Sequence, residues 1–452
     1  MSIEPQPKYV VAVIGAGPAG LFGARQLTNA GVQVVLINRD IKAGGLAEYG
    51  IYPTKFKMKE GLRKQFRQIL QLPHLTYYGN IQVGEQSDVT LTQLKACGLQ
   101  AMLVSVGAQG TKWLGLPGEE LPKGVYHAKD IVYHYNKLPP YYLKKFYIGK
   151  RVALVGAGNV MLDIARWLVR ELKVDQVIAV VRRGPAEVKF DKKEMESVVA
   201  NLDQKALDVE IARVTPLMES LGQDPAAARG YILSALDKAK EPVSDSRFLF
   251  DFLASPVSIL GDNSGQVTGL EVEETTLVPS NGDTKAKGTG VKRVVDVDTV
   301  IFCIGDKVDE NFGLPVKWNQ FIKNPNPSYP MDGVSHELLN PETNQPIDGV
   351  FVAGWSREAS SGLVGIARKD GENGAKAVLQ YLNTLEPNPD PEGVLANIQN
   401  LLGGLGKPVI TKADIQRLET VEQEEAARRM LEEFKFGTNE EMLAAMGLTL
   451  TA

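Results

Sequence analysis

VVAVI (10–14), GAGPAG (15–20), LFGARQLTNAG (21–31) and VQVVLI (32–37) follow one another without a break. The two flanking runs are short, apolar and rich in β-branched residues, the pattern of parallel strands buried on both faces. The middle run has helical rhythm and stops at Gly31, a residue suited to the left-handed turn after a helix. Gly15, Gly17 and Gly20 form GxGxxG between strand and helix. The first glycine permits the tight turn and the second lets a pyrophosphate approach the backbone. The third allows helix and strand to pack closely, while unpaired N–H groups at the helix start face the anion. The strands on either side favour a dinucleotide-binding βαβ unit over a merely tight turn.

The same grammar returns further along: VALV (152–155), GAGNVM (156–161), LDIARWLVREL (162–172) and VIAVV (177–181). Two such units predict an α/β chain with two Rossmann-type dinucleotide-binding domains. AMLVSVGA (101–108) and VDTVIFCIGD (297–306) are further strands that exit at Gly107 and Gly305, expected crossing points between domains. The expected organisation is a discontinuous first domain, 1–107 and 305–452, with a second domain inserted at 108–304. NGDTKAKGTGVKR (281–293) reads as a surface hairpin or loop. Pro387 to Pro391 reads as a linker to a charged helical tail. Thr411 with Asp414, and Thr438 with Glu441, mark helix starts in that tail.

Composition narrows the function. A length of 452 residues suggests two or three domains, and 50 Lys+Arg against 54 Asp+Glu gives a net charge of −4. That balance argues against a nucleic-acid binder or an anionic-membrane binder. The 44 glycines suit many tight turns and phosphate-cradling loops. Only Cys97 and Cys303 are present and no CxxC occurs, which excludes a redox dithiol and a cysteine-ligated iron–sulfur cluster. Four scattered histidines make a metal site unexpected. MSIEPQPKYV lacks the parts of a signal peptide, and the uncharged stretch Tyr9–Ala24 is too short and glycine-rich to span a bilayer. The expectation is a cytoplasmic protein with no transmembrane segment.

The ends of the second strands separate the two units. An acid there normally holds the ribose hydroxyls. In the first unit the position is Asn38, followed by Arg39. An amide still hydrogen-bonds a diol, and the Asn-Arg pair also admits a 2′-phosphate. In the second unit the strand ends in Arg182-Arg183-Gly184-Pro185. Two guanidinium groups there suit the dianionic 2′-phosphate of NADP, the competing reading being a solvated pair at a strand end. That assigns NADP(H) to the second unit and leaves the first for FAD.

These pieces, with GGLAEYGI (44–51), RRGPAEVKF (182–190) and GVFVAGWSREASSGLVG (349–365), resemble the adrenodoxin-reductase-like NADPH:ferredoxin oxidoreductases, relatives of the glutamate synthase small subunit. The similarity runs over nearly the whole chain, including the tail from KPVITKADI to FGTNEEMLAAMGL. It implies that Ala16, Asn38, Leu46 and Val83 contact the adenosine and pyrophosphate half of FAD, and that Trp355, Gly362, Leu363 and Val364 line the flavin. Gly45, Gly107 and Gly305 join Gly15, Gly17 and Gly20 among the FAD-side positions. NADP contacts implied are Gly156, Gly158, Asn159, Val160, Met161, Arg182, Arg183, Glu194 and Gly362. Asp163 matches a family aspartate and with Trp355 is expected beside the reacting rings. The other reading of Asp163 is a first-turn carboxylate favoured by the helix dipole, and of Trp355, ordinary core. The chain departs from the family at Asn38 and at Lys55, where relatives carry a histidine. YPTKFKMKEGL (52–62) is instead similar to the matching segment of glutamate synthase small subunits, whose cysteine-rich extension is absent.

The resemblance implies hydride transfer between NADP(H) and flavin N5, and single-electron exchange with a ferredoxin- or flavodoxin-type carrier, in either direction. Alternatives are an electron-input subunit of a larger complex and a flavin-binding protein of low turnover. Lys55, Lys57, Lys59, Arg63, Lys64 and Arg67 face only Glu60 along the chain, and Lys137, Lys144, Lys145, Lys150 and Arg151 have no acid among them. Both clusters could steer an acidic carrier, the competing reading being solvated lysines with no partner. Oligomeric state is left open.

Overall fold

In a computed structural model of the protein, the opening run folds into strand β1 (Val10–Ile14), helix α1 (Pro18–Asn29) and strand β2 (Gln33–Ile37). The structure describes residues 7–360 and 362–448, so the first part of the N-terminal reading and Ser361 of the 349–365 segment lie outside it. Every residue of β1 is at most 2 % exposed. β1 is parallel to β2 in the register Val10↔Gln33 to Ile14↔Ile37. Gly31 takes φ 78°, the left-handed turn that stops α1. After β2 come the one-turn helix α2 (Leu46–Tyr49) and α3 (Phe56–Leu70).

The second repeat gives strand β3 (Arg151–Val155), helix α4 (Asn159–Trp167) and strand β4 (Gln176–Val181). They lie in a five-stranded parallel sheet with Val125–His127, Thr299–Phe302 and Arg247–Phe252. Beside it is an antiparallel sheet of Ala254–Gly261, β5 (Val267–Ser280) and β6 (Asp283–Val295). Asn281 (φ 48°) and Gly282 (φ 81°) join β5 to β6 in the two-residue turn that Asn-Gly favours. The polar segment 281–293 is thus a hairpin whose return strand is long. Its partner β5 buries Leu270, Val272 and Leu277, and that ladder holds the mostly exposed β6 in place.

The C-terminal part returns to the first sheet. Its order is Glu337–Asn340, Gln345–Val352, Ala101–Val104, β1, β2, Leu75–Tyr78, parallel except at the first pair. Helix α5 (Val364–Leu382) crosses α1 closely: a Cβ on Gly371 would meet Ala19 O at 2.1 Å. The tail adds Pro391–Gly403, α6 (Lys412–Arg428) and Asn439–Ala445. Thr411/Asp414 and Thr438/Glu441 both form reciprocal capping boxes.

By contact density the chain divides into two units, Met1–Thr111 with Tyr133–Leu143 and Gly305–Ala452, and Lys112–Val132 with Lys144–Ile304. The boundary expected after residue 107 therefore moves to 111, and Tyr133–Leu143 belongs with the first unit. Gly110–Thr111 pairs with Asp306–Lys307, and Tyr133 and Leu138 bury against Tyr49. A strand pairing at one edge and apolar packing at the other, both between partners distant in sequence, set those edges. Each unit has its own apolar core.

Candidate functional site

At the carboxyl end of β1 the glycines do three different jobs. Gly15 has φ 100°, and a Cβ there would lie 2.6 Å from Ser105 O. A Cβ on Gly20 would lie 1.9 Å from Gly15 O, so helix and turn touch. Around Gly17, by contrast, a Cβ meets nothing within 4 Å, and this residue caps α1 with no side-chain hydrogen bond. Two glycines are closed by protein and one opens outward at a helix N-terminus, the shape an anion needs. Gly44 N–H donates to Ala16 O at 2.7 Å, and a Cβ on Gly45 would lie 3.1 Å from Gly17 Cα. The Gly45–Leu46 turn therefore borders the same cradle.

Other expected FAD-side residues converge on this edge. Gly107 N–H donates to Ser356 Oγ at 2.9 Å, which ties the exit of Ala101–Val104 to the turn Gly354–Ser356 holding Trp355. Gly354 (φ 65°) would place a Cβ 2.6 Å from Ala19 Cβ, and its N–H donates to Asp370 Oδ2 at 2.6 Å. Gly305 (φ 80°) lies against Ser360, whose Oγ accepts from Asp306 N–H at 2.7 Å. Gly362 and Leu363 lead into α5, which starts at Val364 with no side-chain cap. Leu363 is 67 % exposed and Ile366 61 %, an apolar surface at a helix N-terminus. A planar, partly apolar ring that accepts hydrogen bonds on one edge suits that surface. Val83 is buried in the core with Val89 and Phe312.

Asn38 is placed differently from the ribose-facing position the sequence suggested. Ala16 N–H donates to its Oδ1 at 3.0 Å, and its Nδ2 donates to the carbonyls of Asp40 (2.8 Å) and Lys42 (3.0 Å). Its polar atoms brace the glycine turn.

The second cradle repeats the first. A Cβ on Gly156 (φ 136°) would lie 2.5 Å from Cys303 O, while Gly158 caps α4 with open space around it. Asn159 Nδ2 donates to Asp191 Oδ2 at 2.8 Å and its Oδ1 accepts from Asp191 N–H at 2.7 Å. That pair fixes the short helix Lys192–Met195, which carries the half-buried Glu194, beside the start of α4. Val160 is exposed, whereas Met161 is fully buried and its N–H donates to Gly158 O. Asp163 stands in the second turn of α4, and no acid occupies the first. The first-turn dipole reading of Asp163 is therefore corrected. Beyond β4, Arg182 is exposed and Arg183 half-buried, with Arg183 Nη1 3.3 Å from Asp283 Oδ2.

The lysine-rich stretches also need correction. Lys59 is 1 % exposed, Arg63 binds Glu48 at 2.6 Å and also Glu433, and Arg67 pairs with Glu60. Of the second stretch, Lys144 binds Asp130 at 2.7 Å, Lys150 lies 3.7 Å from Asp175, and Arg151 pairs with Asp296. Lys137 lies over the Tyr142 and Phe434 rings. Acids thus pair with three cations of each cluster, whereas Lys57, Lys64 and Lys145 are exposed. Among the described residues no cluster of His, Cys, Asp and Glu suits a metal, and no helix is long and apolar enough to cross a membrane.

Residues 9–217 match the family model described as pyridine nucleotide-disulphide oxidoreductase. An NADPH-ferredoxin reductase, FprA, of Mycobacterium leprae is 26% identical over 418 residues, covering 84% of this chain and 85% of that one. The mitochondrial NADPH:adrenodoxin oxidoreductase of Salvelinus fontinalis is 27% identical over 460 residues, covering 92% and 87%. The structure of Mycobacterium tuberculosis FprA in complex with NADPH superposes with a TM-score of 0.80 at 23% identity, covering 98% of this chain and 100% of that one. That last likeness shows the shared fold. The similarity to NADPH-ferredoxin and NADPH:adrenodoxin reductases thus runs over most of the chain. The two glycine cradles of this chain fit two dinucleotides. Each has the open helix-capping glycine a pyrophosphate requires, and only the second is followed by paired arginines. Sequence reasoning missed the bracing role of Asn38 and the contact between Arg183 and the β5–β6 turn. The Asn-Gly at 281–282 was the available signal for that turn.

Proposed function

We propose that this chain moves hydride between NADP(H) and FAD and single electrons between FAD and a ferredoxin-type carrier. FAD, when bound, supplies the change from a two-electron to a one-electron donor. The chain's own part is to bind, orient and exclude water. The observation that carries the reading is the pair of glycine cradles with different endings. The first ends in a buried amide, and the second in Arg182-Arg183, whose side chains can discriminate a 2′-phosphate. Trp355 is assigned to the flavin side, on a turn held by Gly107 and Asp370. Asp163 is assigned to the coenzyme side, one turn inside α4. Hydride transfer asks for alignment rather than a strong acid or base, which suits a chain with four histidines. Lys57 and Lys64 are the cations of α3 left to meet an acidic carrier. The two unpaired, buried cysteines support placement in a reducing cytoplasm.

The test is anaerobic mixing of the FAD-loaded protein with NADPH or NADH while flavin absorbance is followed. NADPH should bleach the flavin rapidly and NADH far more slowly, and cytochrome c should then be reduced only when a ferredoxin is added. Arg182→Ala should cost NADPH about 1.5–3 kcal/mol of binding, one charge-assisted contact, and leave NADH unchanged. Equal bleaching by both coenzymes would reject the 2′-phosphate assignment. A protein that holds no flavin would reject the whole reading.

A further inference from the structure

The loop after β4 is backed along its length by the β5–β6 hairpin. Thr275 Oγ1 donates to Arg182 O at 2.7 Å, and Thr284 Oγ1 donates to Glu187 Oε1 at 2.8 Å. Gln223 Nε2 donates to that same Oε1 at 2.6 Å. A Cβ on Gly184 would lie 3.6 Å from Leu277 Cδ1, ordinary contact. At the tip, Arg183 Nη1 lies 3.4 and 3.3 Å from the two oxygens of Asp283 and 3.4 Å from Thr284 O. Thr284 N–H donates to Asp283 Oδ1 at 2.7 Å, which fixes the carboxylate against its own turn.

This arrangement is asymmetric. Only Nη1 of the Arg183 guanidinium meets the hairpin, through long contacts, and among the described residues Nε and Nη2 meet no hydrogen-bond acceptor. The fork that binds a phosphate bidentately is therefore open, while a carboxylate sits on the other side of the same cation. Asp283 is 63 % exposed at its side chain and Arg183 21 %. Solvent screens the pair, so it holds Arg183 only weakly. An anion taken by the open fork would still feel the carboxylate as a like charge.

We infer that Asp283 is a specificity-setting residue: it orients Arg183 from the hairpin side and, by its charge, holds down affinity for the 2′-phosphorylated coenzyme. The inference rests on the assignment of the 2′-phosphate to Arg182 and Arg183. Neutralising Asp283 removes a repulsion that acts on the 2′-phosphate and not on the two hydroxyls of NADH. A unit charge about 7 Å from a dianion in water-like surroundings changes affinity about three- to tenfold.

The experiment is titration of the FAD-loaded protein with NADP+, NAD+ and 2′,5′-ADP at low and high salt, for the wild type, Asp283→Asn and Arg183→Ala. Asn keeps the shape and an acceptor for Thr284 N–H. Asp283→Asn should tighten NADP+ and 2′,5′-ADP about three- to tenfold at low salt, lose most of that gain at about 1 M salt where the Debye length is about 3 Å, and leave NAD+ unchanged. Asp283→Ser, without the charge or the amide, should reproduce the direction. If Arg183→Ala weakens NADP+ selectively but Asp283→Asn leaves it unchanged, weakens it, or shifts NAD+ equally, the role given to Asp283 is wrong. If Arg183→Ala shifts both coenzymes equally, the underlying 2′-phosphate assignment is wrong.

Discussion

Asn38 is 6 % exposed, and its amide serves both sides of one turn. Its oxygen accepts the Ala16 N–H, and its nitrogen donates to the carbonyls of Asp40 and Lys42 and lies 3.3 Å from Tyr77 Oη. A carboxylate could keep the first bond but would turn an acceptor toward two carbonyls. Asn38→Asp, which restores the residue type usual in this fold, is therefore expected to destabilise this chain by about 1–3 kcal/mol. In a thermal melt of the FAD-loaded protein that corresponds to a fall of several degrees. An unchanged melting temperature with tighter FAD would show the side chain facing the ribose instead. The spacing from Gly15 marks position 38 as important. Its partners at 40, 42 and 77 are what the spacing alone does not reveal.

At the scale of elements, α2, α3 and the tail meet in a buried charge cluster. Glu48 of α2 accepts from Arg63 of α3 at 2.6 and 2.7 Å and from Lys435 at 2.6 Å. Lys42 lies 3.7 Å from Glu48 and 2.5 Å from Glu422 of α6. The three cations hold the Glu48 carboxyl well below its ordinary range, against the opposing effect of burial. Lys59, beside Asn136 and 3.7 Å from Glu433, is pushed down to about 7, chiefly by burial and then by Lys435. In the unfolded chain it titrates near 10.4. Between those values the unfolded chain binds a proton that the folded one has lost, so stability rises with pH from about 7 toward 10. Lys59→Met should flatten that rise, read as melting temperature from pH 6 to 9. An undiminished slope would place the titration elsewhere.

This cluster also shows where a sequence reading stops. The capping boxes at Thr411 and Thr438 are local, each closed within three residues, and both were legible, as were the glycine patterns of the two cradles. The helix Pro391–Gly403 begins within the expected linker, and its start at Asp390, whose side chain accepts from Gly393 N–H, was hidden by the proline-rich run. The lysines of α3 read as a bare positive patch because Glu433 lies hundreds of positions away along the chain. Charge summed along a chain omits partners that folding supplies.

For the whole molecule, two units with separate cores and one glycine cradle each should answer to different ligands. Binding stabilises the folded region that holds the ligand by RT ln(1 + [L]/Kd), about 2.7 kcal/mol at 100 times Kd. Amides that open by local unfolding of that region should then exchange up to about 100-fold more slowly. Hydrogen exchange of the full chain, read peptide by peptide, is the measurement. FAD should protect 15–20, 44–50 and 354–365, whereas 2′,5′-ADP should protect 156–161, 182–187 and the hairpin tip at 280–285. The tip belongs in the second set because Asp283 and Thr284 contact the arginine loop directly. Protection of 15–20 by 2′,5′-ADP would reverse the assignment of the two cradles. Protection of 182–187 without 280–285 would leave the cradles as assigned but separate the hairpin from coenzyme recognition.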